Sequence, residues 1–481
     1  MKTKIAIIGL GQVGTTILYN LFLTKSNIEF ILIDNHMESL IANIIDLNHT
    51  LNQNNNIVRL GEYKDIDDCM LIILAVGIKM NSNRTIFLQD SFKVIKDITT
   101  NINKTNFNGN IIVISNPNDV ITTYIANNYQ KEKVIGTGTF LDTNRLKYYL
   151  QEKINIDSNN IDINIIGEHG QTQVVLWDTL KINNEINKYI LTFHEKEKLE
   201  EKVKNIANEI VSLKGYTNFG VVACCNKIVD LIINSSDEIV NVSSYDETYK
   251  IAYSYPSKII NKKIKRVKDL KISDELLIKS INKIKKEYQI FTNQEIIGID
   301  LDDTITIIQE DMLKEASKFD KSINGKGIVD NTKYLVGEKY NWSYELKEEF
   351  FKKYRIKVIE KAKVRSDAIL YLNKLIDLGY KIVIITARSS KYYDDPYLYT
   401  KKWLDENNVP YTKLIVNAKS KKEICKEEKV SIFIDDMPSN CLEVVSLNNI
   451  KVFIMDNKDN VLKDNRIKRI TNFKELYEEI L

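Results

Sequence analysis

Short apolar runs alternate with longer amphipathic stretches through the first 140 residues of the chain. Lys4–Ile8 is the first run, and an amphipathic pattern follows it through Phe22. Further runs at Phe30–Ile33, Ile57–Leu60, Met70–Val76, Asn110–Ser115 and Lys133–Gly136 predict strands, with helices between some of them. Leu71–Val76 is apolar at every position, as expected of a strand covered on both faces. This repetition predicts an α/β fold built on a doubly wound parallel sheet. Farther on, Ile161, Ile163 and Ile165 alternate with Asp162 and Asn164, the pattern of a strand with one buried face. A charged helical pattern covers 195–212, and a more apolar one, Val221–Ile233, reads as core or subunit contact. An amphipathic helix over Asp274–Tyr288, with Leu277, Ile281 and Ile284 at helical spacing, closes this region. After a polar joint at Thr292–Gln294 the rhythm restarts. Strands are predicted at Glu295–Ile299, Lys381–Ile385 and Val430–Ile434, with a helical, aromatic-rich stretch over 305–365.

Composition narrows the class. At 481 residues the chain needs two or three domains. A hydrophobic content of 43% and a charged content of 28% fit a folded globular protein. The net charge of +3 leaves no basic footprint for nucleic acid. Cys69, Cys224, Cys225, Cys425 and Cys441 form no CxxC pair, which predicts buried free thiols in a reducing compartment. No apolar run approaches the roughly 20 residues that span a bilayer, so no membrane partner is expected. The N-terminus runs straight into a strand without a signal peptide pattern, and a cytoplasmic location is expected.

Two stretches carry candidate chemistry in the first half. Gly9-Leu10-Gly11-Gln12-Val13-Gly14 stands between a predicted strand and a predicted helix, the setting of a dinucleotide fingerprint. Gly9, Gly11, Gln12, Val13 and Gly14 are therefore candidate cofactor-binding residues. Asp34 ends the next strand, where a carboxylate hydrogen-bonds a ribose 2′-OH and repels a 2′-phosphate. NAD is expected over NADP. The second stretch is Gly167-Glu168-His169-Gly170. An imidazole between glycines at a strand end is placed to exchange a proton near neutral pH. Taken alone, a loop histidine making one hydrogen bond would be the preferred reading.

The order of short motifs changes that balance. Gly9–Gly14, Asp34, Asp46–His49, Ser115–Asp119, Gly136–Arg145, Gly167–Gly170 and Lys214–Thr217 together resemble the lactate/malate dehydrogenase family over residues 1–290. The resemblance implies a Rossmann-type NAD-binding domain over 1–140 and an α+β substrate domain over 141–291. It also implies a homo-oligomer, a dimer or tetramer. By resemblance, Asp142 holds His169, which exchanges the substrate hydroxyl proton as hydride moves to or from the nicotinamide. Arg145 grips the carboxylate of a 2-oxo or 2-hydroxy acid, and Asp142 and Arg145 are spaced to share a helix face. Arg84 polarises the carbonyl from a mobile loop that closes over the site, Asn116 contacts substrate or cofactor, and Thr217 lines the pocket. The loop before Arg84, Val76–Asn83, is about two residues shorter than this resemblance leads one to expect and lacks a Pro-Gly pair. Met80 in that loop favours a monocarboxylic acid, and Lys79 keeps a dicarboxylate open.

In the second half, Asp300 and Asp302 alternate after a strand and precede Thr304. Such a pair suits phosphoryl transfer, one carboxylate attacking phosphorus and the other handling the proton. An acidic turn without a catalytic role is equally compatible with that piece alone. Thr386, Lys421 (or Lys419) and Asp435-Asp436 follow in order, three of the four motifs at strand ends. This set resembles the haloacid dehalogenase-like phosphohydrolases, in their 5′-nucleotidase-type branch, over 295–481, with a small helical cap at about 305–365. By resemblance Asp300 is the nucleophile, Asp302 the general acid/base, Thr386 a phosphate ligand, and Lys421 the neutralising cation. Asp300, the Asp302 backbone carbonyl and one of Asp435 and Asp436 would hold Mg²⁺. The expected substrate is a phosphate monoester, a nucleotide among the candidates. A cap aromatic (Tyr334, Tyr340, Trp342, Phe350, Phe351 or Tyr354) would serve packing or stack on a base. The sequence thus predicts a bifunctional enzyme. The alternative is an active dehydrogenase whose second half only binds or regulates.

Overall fold

The first predicted runs form six parallel strands in a computed structural model describing residues 2–50, 54–77, 83–187, 190–267, 274–457 and 460–481. They are β1 (Thr3–Ile8), β2 (Ile28–Ile33), β3 (Ile57–Leu60), β4 (Leu71–Leu74), β5 (Asn110–Val113) and β6 (Val134–Gly136). Their order in the sheet is β3-β2-β1-β4-β5-β6, two mononucleotide-binding halves meeting between β1 and β4. The connecting helices are α1 (Gln12–Thr24), α2 (Met37–Asn48), α3 (Arg84–Asn103) and α4 (Asn118–Asn128). β4 and β5 are buried at every position, as the unbroken apolar runs require.

The chain then adds α5 (Phe140–Ile154), α6 (Phe193–Lys214), α7 (Phe219–Asn234) and α8 (Asp274–Thr292). The alternating isoleucines behave differently from expectation. Ile161, Ile163 and Ile165 are all buried, but the run divides into two short strands in separate sheets, Ile161–Asp162 and Ile165–Ile166. Three antiparallel strands that the sequence reading lacks, Val240–Asp246, Ile251–Ile260 and Lys263–Arg266, extend the parallel sheet to nine strands. The seam is a single pair, Ser243 opposite Gly136. Gly167 bridges to Ser254 on the long middle strand, with backbone bonds of 2.9 Å in both directions, which fixes the approach to His169.

The chain divides into two compact units, Met1–Thr292 and Asn293–Leu481. In the second, six parallel strands run in the order Lys413–Ile415, Lys381–Ile385, Ile296–Ile299, Ile432–Asp435, Lys451–Met455, Ile467–Ile470. Asp300, Thr386 and Asp436 thus follow the carboxyl ends of three adjacent strands, where open α/β sheets bind ligands. Between the first two of these strands in sequence, a two-stranded ribbon pairs Thr306–Ile307 with Lys363–Val364. The helices Gln309–Ser322, Val336–Lys339 and Tyr344–Glu360 lie between its strands. All five cysteines are free and buried. Among the described residues no helix is long and apolar enough to cross a membrane.

Candidate active sites

β1 ends at Ile8, and the chain turns through Gly9 into α1. Gly9 has φ +91°, and a Cβ there would lie 2.7 Å from the Val76 Cα. A Cβ on Gly14 would lie 2.0 Å from the Gly9 carbonyl oxygen. Both positions therefore require glycine for turn and helix to close. Gly11 differs: nothing lies within 4 Å of where its Cβ would be, so its backbone faces open space that a pyrophosphate can enter. Asp34 sits across this turn and accepts from the backbone N–H of Leu10 at 2.6 Å and of His36 at 2.8 Å. Leu10, Gly11, Asp34 and His36 line a cleft of about 560 Å³. Gln12 is exposed at the start of α1. Val13 is half-buried and packs against the core. The open Gly11 backbone and the nearby carboxylate fit a dinucleotide lacking a 2′-phosphate.

The second centre of the first unit is His169. Its Nδ1 lies 2.6 Å from Asp142 Oδ2, on the first turn of α5. The backbone N–H of His169 donates to Asp119 Oδ2 at 2.7 Å, and Ser243 Oγ donates to the other Asp119 oxygen at 2.6 Å. Burial works against a charged imidazolium, but the Asp142 carboxylate outweighs it, and the His169 pKa rises to about 9. Burial likewise opposes ionisation of Asp142, yet His169 and Arg145 hold it below the usual carboxylate range. Burial raises Asp119 to about 6, outweighing its hydrogen bonds from Ser243 and the His169 backbone and the charge of the nearby imidazole.

His169, Asn116, Asp119, Arg84, Lys283 and Glu287 line one pocket of about 490 Å³. Three expected residues stand elsewhere or differently. Arg84 is the first residue of α3, capped by Asn83, rather than a loop residue. Its guanidinium forms a two-pronged pair with Glu287 of α8, at 3.1 and 2.7 Å. Arg145 is turned onto Asp142, Nη1 to Oδ1 3.0 Å, and does not line the pocket. Thr217 is half-buried between α6 and α7 and is also absent from the lining. Met80 and Lys79 lie outside the described residues. Sequence reasoning missed Asp119 and Glu287. Asp119 stood inside a quoted motif, but its contact with His169 spans 50 residues. Glu287 reads as an ordinary charge on an amphipathic helix.

In the second unit, Asp300, Asp435 and Asp436 each offer a carboxylate oxygen within 4.8 Å of the others. Lys421, the first residue of the helix Lys421–Glu427, reaches between them: Nζ donates to Asp300 and, at 2.6 Å, to Asp435 Oδ2. Lys419, the other lysine considered from the sequence, is exposed and does not line the pocket. Burial raises Asp300 to about 7 and, with Asp435 and Asp300 adding to it, pushes Asp436 well above the usual range. One lysine thus leaves three buried carboxylates undercompensated. All-oxygen donors in that state fit a hard divalent cation such as Mg²⁺.

The Asp302 carboxylate stands outside this cluster. Arg388, fully buried, approaches both of its oxygens, with Nε at 3.2 Å from each and Nη2 at 2.6 Å from Oδ1. Burial opposes its ionisation, but Arg388 outweighs burial and lowers its pKa. Its carboxylate is thus engaged by Arg388 and does not join the Asp300, Asp435 and Asp436 cluster. Thr386 is buried in the lining of the same pocket, about 220 Å³ in volume, with Asp300, Asp302 and Lys421. Tyr334 donates its hydroxyl to Asp436 and accepts from Asn457 Nδ2 at 3.0 Å.

Comparison with known proteins agrees with this division. Residues 3–136 match the NAD binding domain of lactate/malate dehydrogenase, and 139–294 its alpha/beta C-terminal domain. Residues 294–481 match the family described as 5′ nucleotidase, deoxy (Pyrimidine), cytosolic type C protein. The L-lactate dehydrogenase of Borrelia hermsii is 33% identical over 305 residues, covering 59% of this chain and 96% of that one. That of Clostridium perfringens (strain SM101 / Type A) is 33% identical over 301 residues, covering 59% and 95%. A solved L-lactate dehydrogenase from Clostridium thermocellum superposes with a TM-score of 0.55 at 31% identity, over 61% of this chain and all of that one, 100%. The minor L-lactate dehydrogenase of Enterococcus mundtii gives 0.57 at 26% identity, over 61% and 99%. The chain belongs to the lactate/malate dehydrogenase family over residues 3–294, and a 5′-nucleotidase domain of the haloacid dehalogenase type is fused to it over 294–481.

Proposed function

We propose that the first unit interconverts a monocarboxylic 2-hydroxy acid and its 2-oxo acid, and that the second is a Mg²⁺-dependent phosphomonoesterase. The Asp142–His169 pair at 2.6 Å, beside a pocket that Asn116 and Arg84 also line, carries the first reading. NAD, when bound, supplies the hydride acceptor. His169 Nε2 takes the hydroxyl proton, and Asp142 fixes the tautomer and stabilises the resulting imidazolium. Arg145, released from Asp142, is the candidate grip for the substrate carboxylate, and Arg84 the candidate for polarising the carbonyl. Arg84 and Lys283, which also line the pocket, are paired with Glu287 and with Glu168 at 2.5 Å. The L-lactate dehydrogenase relatives support the same substrate class.

In the second unit the cluster of Asp300, Asp435 and Asp436 around Lys421 carries the reading, and favours catalysis over a purely binding role. Mg²⁺, when held by Asp300, the Asp302 carbonyl and Asp435 or Asp436, offsets charge at the transferring phosphoryl group. Asp300 attacks phosphorus, while Lys421 and Thr386 hold its oxygens. The like charge of a phosphate dianion entering beside Asp302 raises the Asp302 pKa, which lets it carry the proton for the leaving oxygen. One preparation tests both readings. With NADH and a panel of 2-oxo acids, turnover should vanish in His169→Ala; no turnover across the panel removes the first reading. With Mg²⁺ and p-nitrophenyl phosphate, release should vanish in Asp300→Asn; release that persists removes Asp300 as nucleophile.

A further inference from the structure

We propose that the second unit selects phosphate esters whose leaving group carries a carboxylate on the carbon bearing the ester oxygen, and that Arg355 reads that carboxylate. The proposal rests on the phosphomonoesterase reading of the site. Arg355 projects from the helix Tyr344–Glu360 and lines the pocket with Asp300, Asp302, Thr386 and Lys421. Its Nη2 lies 4.0 Å from Asp302 Oδ2. That contact is an outer one, because Arg388 already approaches both Asp302 oxygens. A second guanidinium is thus held beside the carboxylate that serves the leaving oxygen. Its guanidinium carbon lies against two neighbouring rings, 5.2 Å from the Tyr392 centroid and 5.9 Å from that of Phe351. A planar fork held in this way suits two-pronged binding of a carboxylate. From its station near Asp302 it reaches a group one carbon beyond the ester oxygen.

The rest of the pocket disfavours a nucleoside at this position. Its volume is about 220 Å³. That falls below the roughly 300 Å³ at which pockets for larger organic ligands begin. Tyr340, Trp342 and Phe350 are buried in the core, Tyr340 stacked on Trp342, Trp342 tilted against Phe350, and Phe350 against Phe319. Tyr354 packs on Phe350 with centroids 5.4 Å apart. Of the two aromatic side chains that line the pocket, Tyr334 is tied by its hydroxyl to Asp436. Phe351 is the other, and its ring also lies against Arg355.

The reaction is an ordinary hydrolysis. Asp300 forms a bond to phosphorus, the ester P–O bond breaks, and the leaving oxygen takes a proton from Asp302. Water then attacks the phosphoryl group on Asp300 and returns a proton to Asp302. The sum is a 2-(phosphooxy) acid and water giving a 2-hydroxy acid and inorganic phosphate. A 2-hydroxy acid is the substrate class proposed for the first unit, so the second would supply the first from a phosphorylated precursor.

The full chain with Mg²⁺ is assayed for phosphate release from four esters. These are p-nitrophenyl phosphate, the O-phosphate of lactate, isopropyl phosphate (the same skeleton without the carboxylate) and a set of nucleoside 5′-monophosphates. The expected kcat/KM for the carboxylate ester exceeds that for isopropyl phosphate by at least about tenfold, the scale of a charged hydrogen-bonded contact. Arg355→Gln should raise KM for the carboxylate ester by a similar factor and leave isopropyl and p-nitrophenyl phosphate within about twofold. Arg355→Lys should recover part of the loss. An equal loss on all esters, or a preference for nucleoside monophosphates, overturns the proposal. No release from any of the four refutes the phosphomonoesterase reading itself, and this proposal with it.

Discussion

Replacing Asp142 by Asn keeps the shape of the His169 contact and removes its charge. In the structure the imidazole is raised from 6.5 to about 9, against the opposing effect of its own burial. At about 1.4 kcal/mol per unit, the imidazolium is held by roughly 3 kcal/mol. Without the carboxylate that support is gone and burial still disfavours the charge, so the His169 pKa should fall to 6.5 or lower. Reduction of a 2-oxo acid requires the protonated ring. For the unsubstituted chain, reductive kcat/KM should therefore hold up to pH about 9 and decline above it. For Asp142→Asn the decline should begin two or more units lower, costing at least about tenfold at pH 7.5. The assay is NADH oxidation followed from pH 5.5 to 10. Arg145 also loses its 3.0 Å contact in this variant, so KM changes as well, and the position of the limb carries the test. A limb that stays where it was would refute the electrostatic account. Stability gives an independent check. A raised folded-state pKa contributes stability that is complete below pH 6.5 and is lost as pH rises through about 9. Thermal melts of Asp142→Asn should lack that decline.

Two further perturbations address other contacts. If Arg84 takes its proposed role it must leave Glu287 to meet a substrate, so Glu287→Gln should lower KM for the 2-oxo acid by about two- to threefold, the scale of a partly exposed ion pair; an unchanged or higher KM contradicts a holding role. Lys421→Met removes the cation between buried Asp300 and Asp435, and losing one partner of a buried pair costs about 3–5 kcal/mol. At pH 8 without divalent cations its melting temperature should fall, and MgCl₂ should restore more of it than it adds to the unsubstituted chain; equal responses would separate Lys421 from the cation site.

Strands covered on both faces were the easiest to read. Leu71–Leu74 and Ile382–Ile385 appear as unbroken apolar runs, and the strand Lys381–Ile385 is predicted residue for residue. The long strand Ile251–Ile260 escaped because buried Ser254 and Ser257 and half-buried Tyr255 interrupt its pattern, although its two faces are almost wholly covered. The site residues were legible where a motif sits at a strand end, as for Asp300, Thr386 and His169. Their pairings were not. That Arg388 rather than solvent meets Asp302, or that Glu287 meets Arg84 across 203 residues, depends on tertiary approach that no local pattern encodes.

The ribbon of Thr306–Ile307 with Lys363–Val364 has a consequence for divergence. It brings the chain back to the point where it left, so the intervening helices form an excursion closed at its root. The entropy of closing a long excursion grows only with the logarithm of its length, and doubling it adds about 0.6 kcal/mol. Asp300, Thr386, Lys421 and Asp435 lie outside the excursion, while Arg355 and Tyr334 lie inside it. Insertions, deletions or exchange of that segment can therefore alter the residues proposed to meet the leaving group while those proposed to handle the phosphoryl group keep their positions.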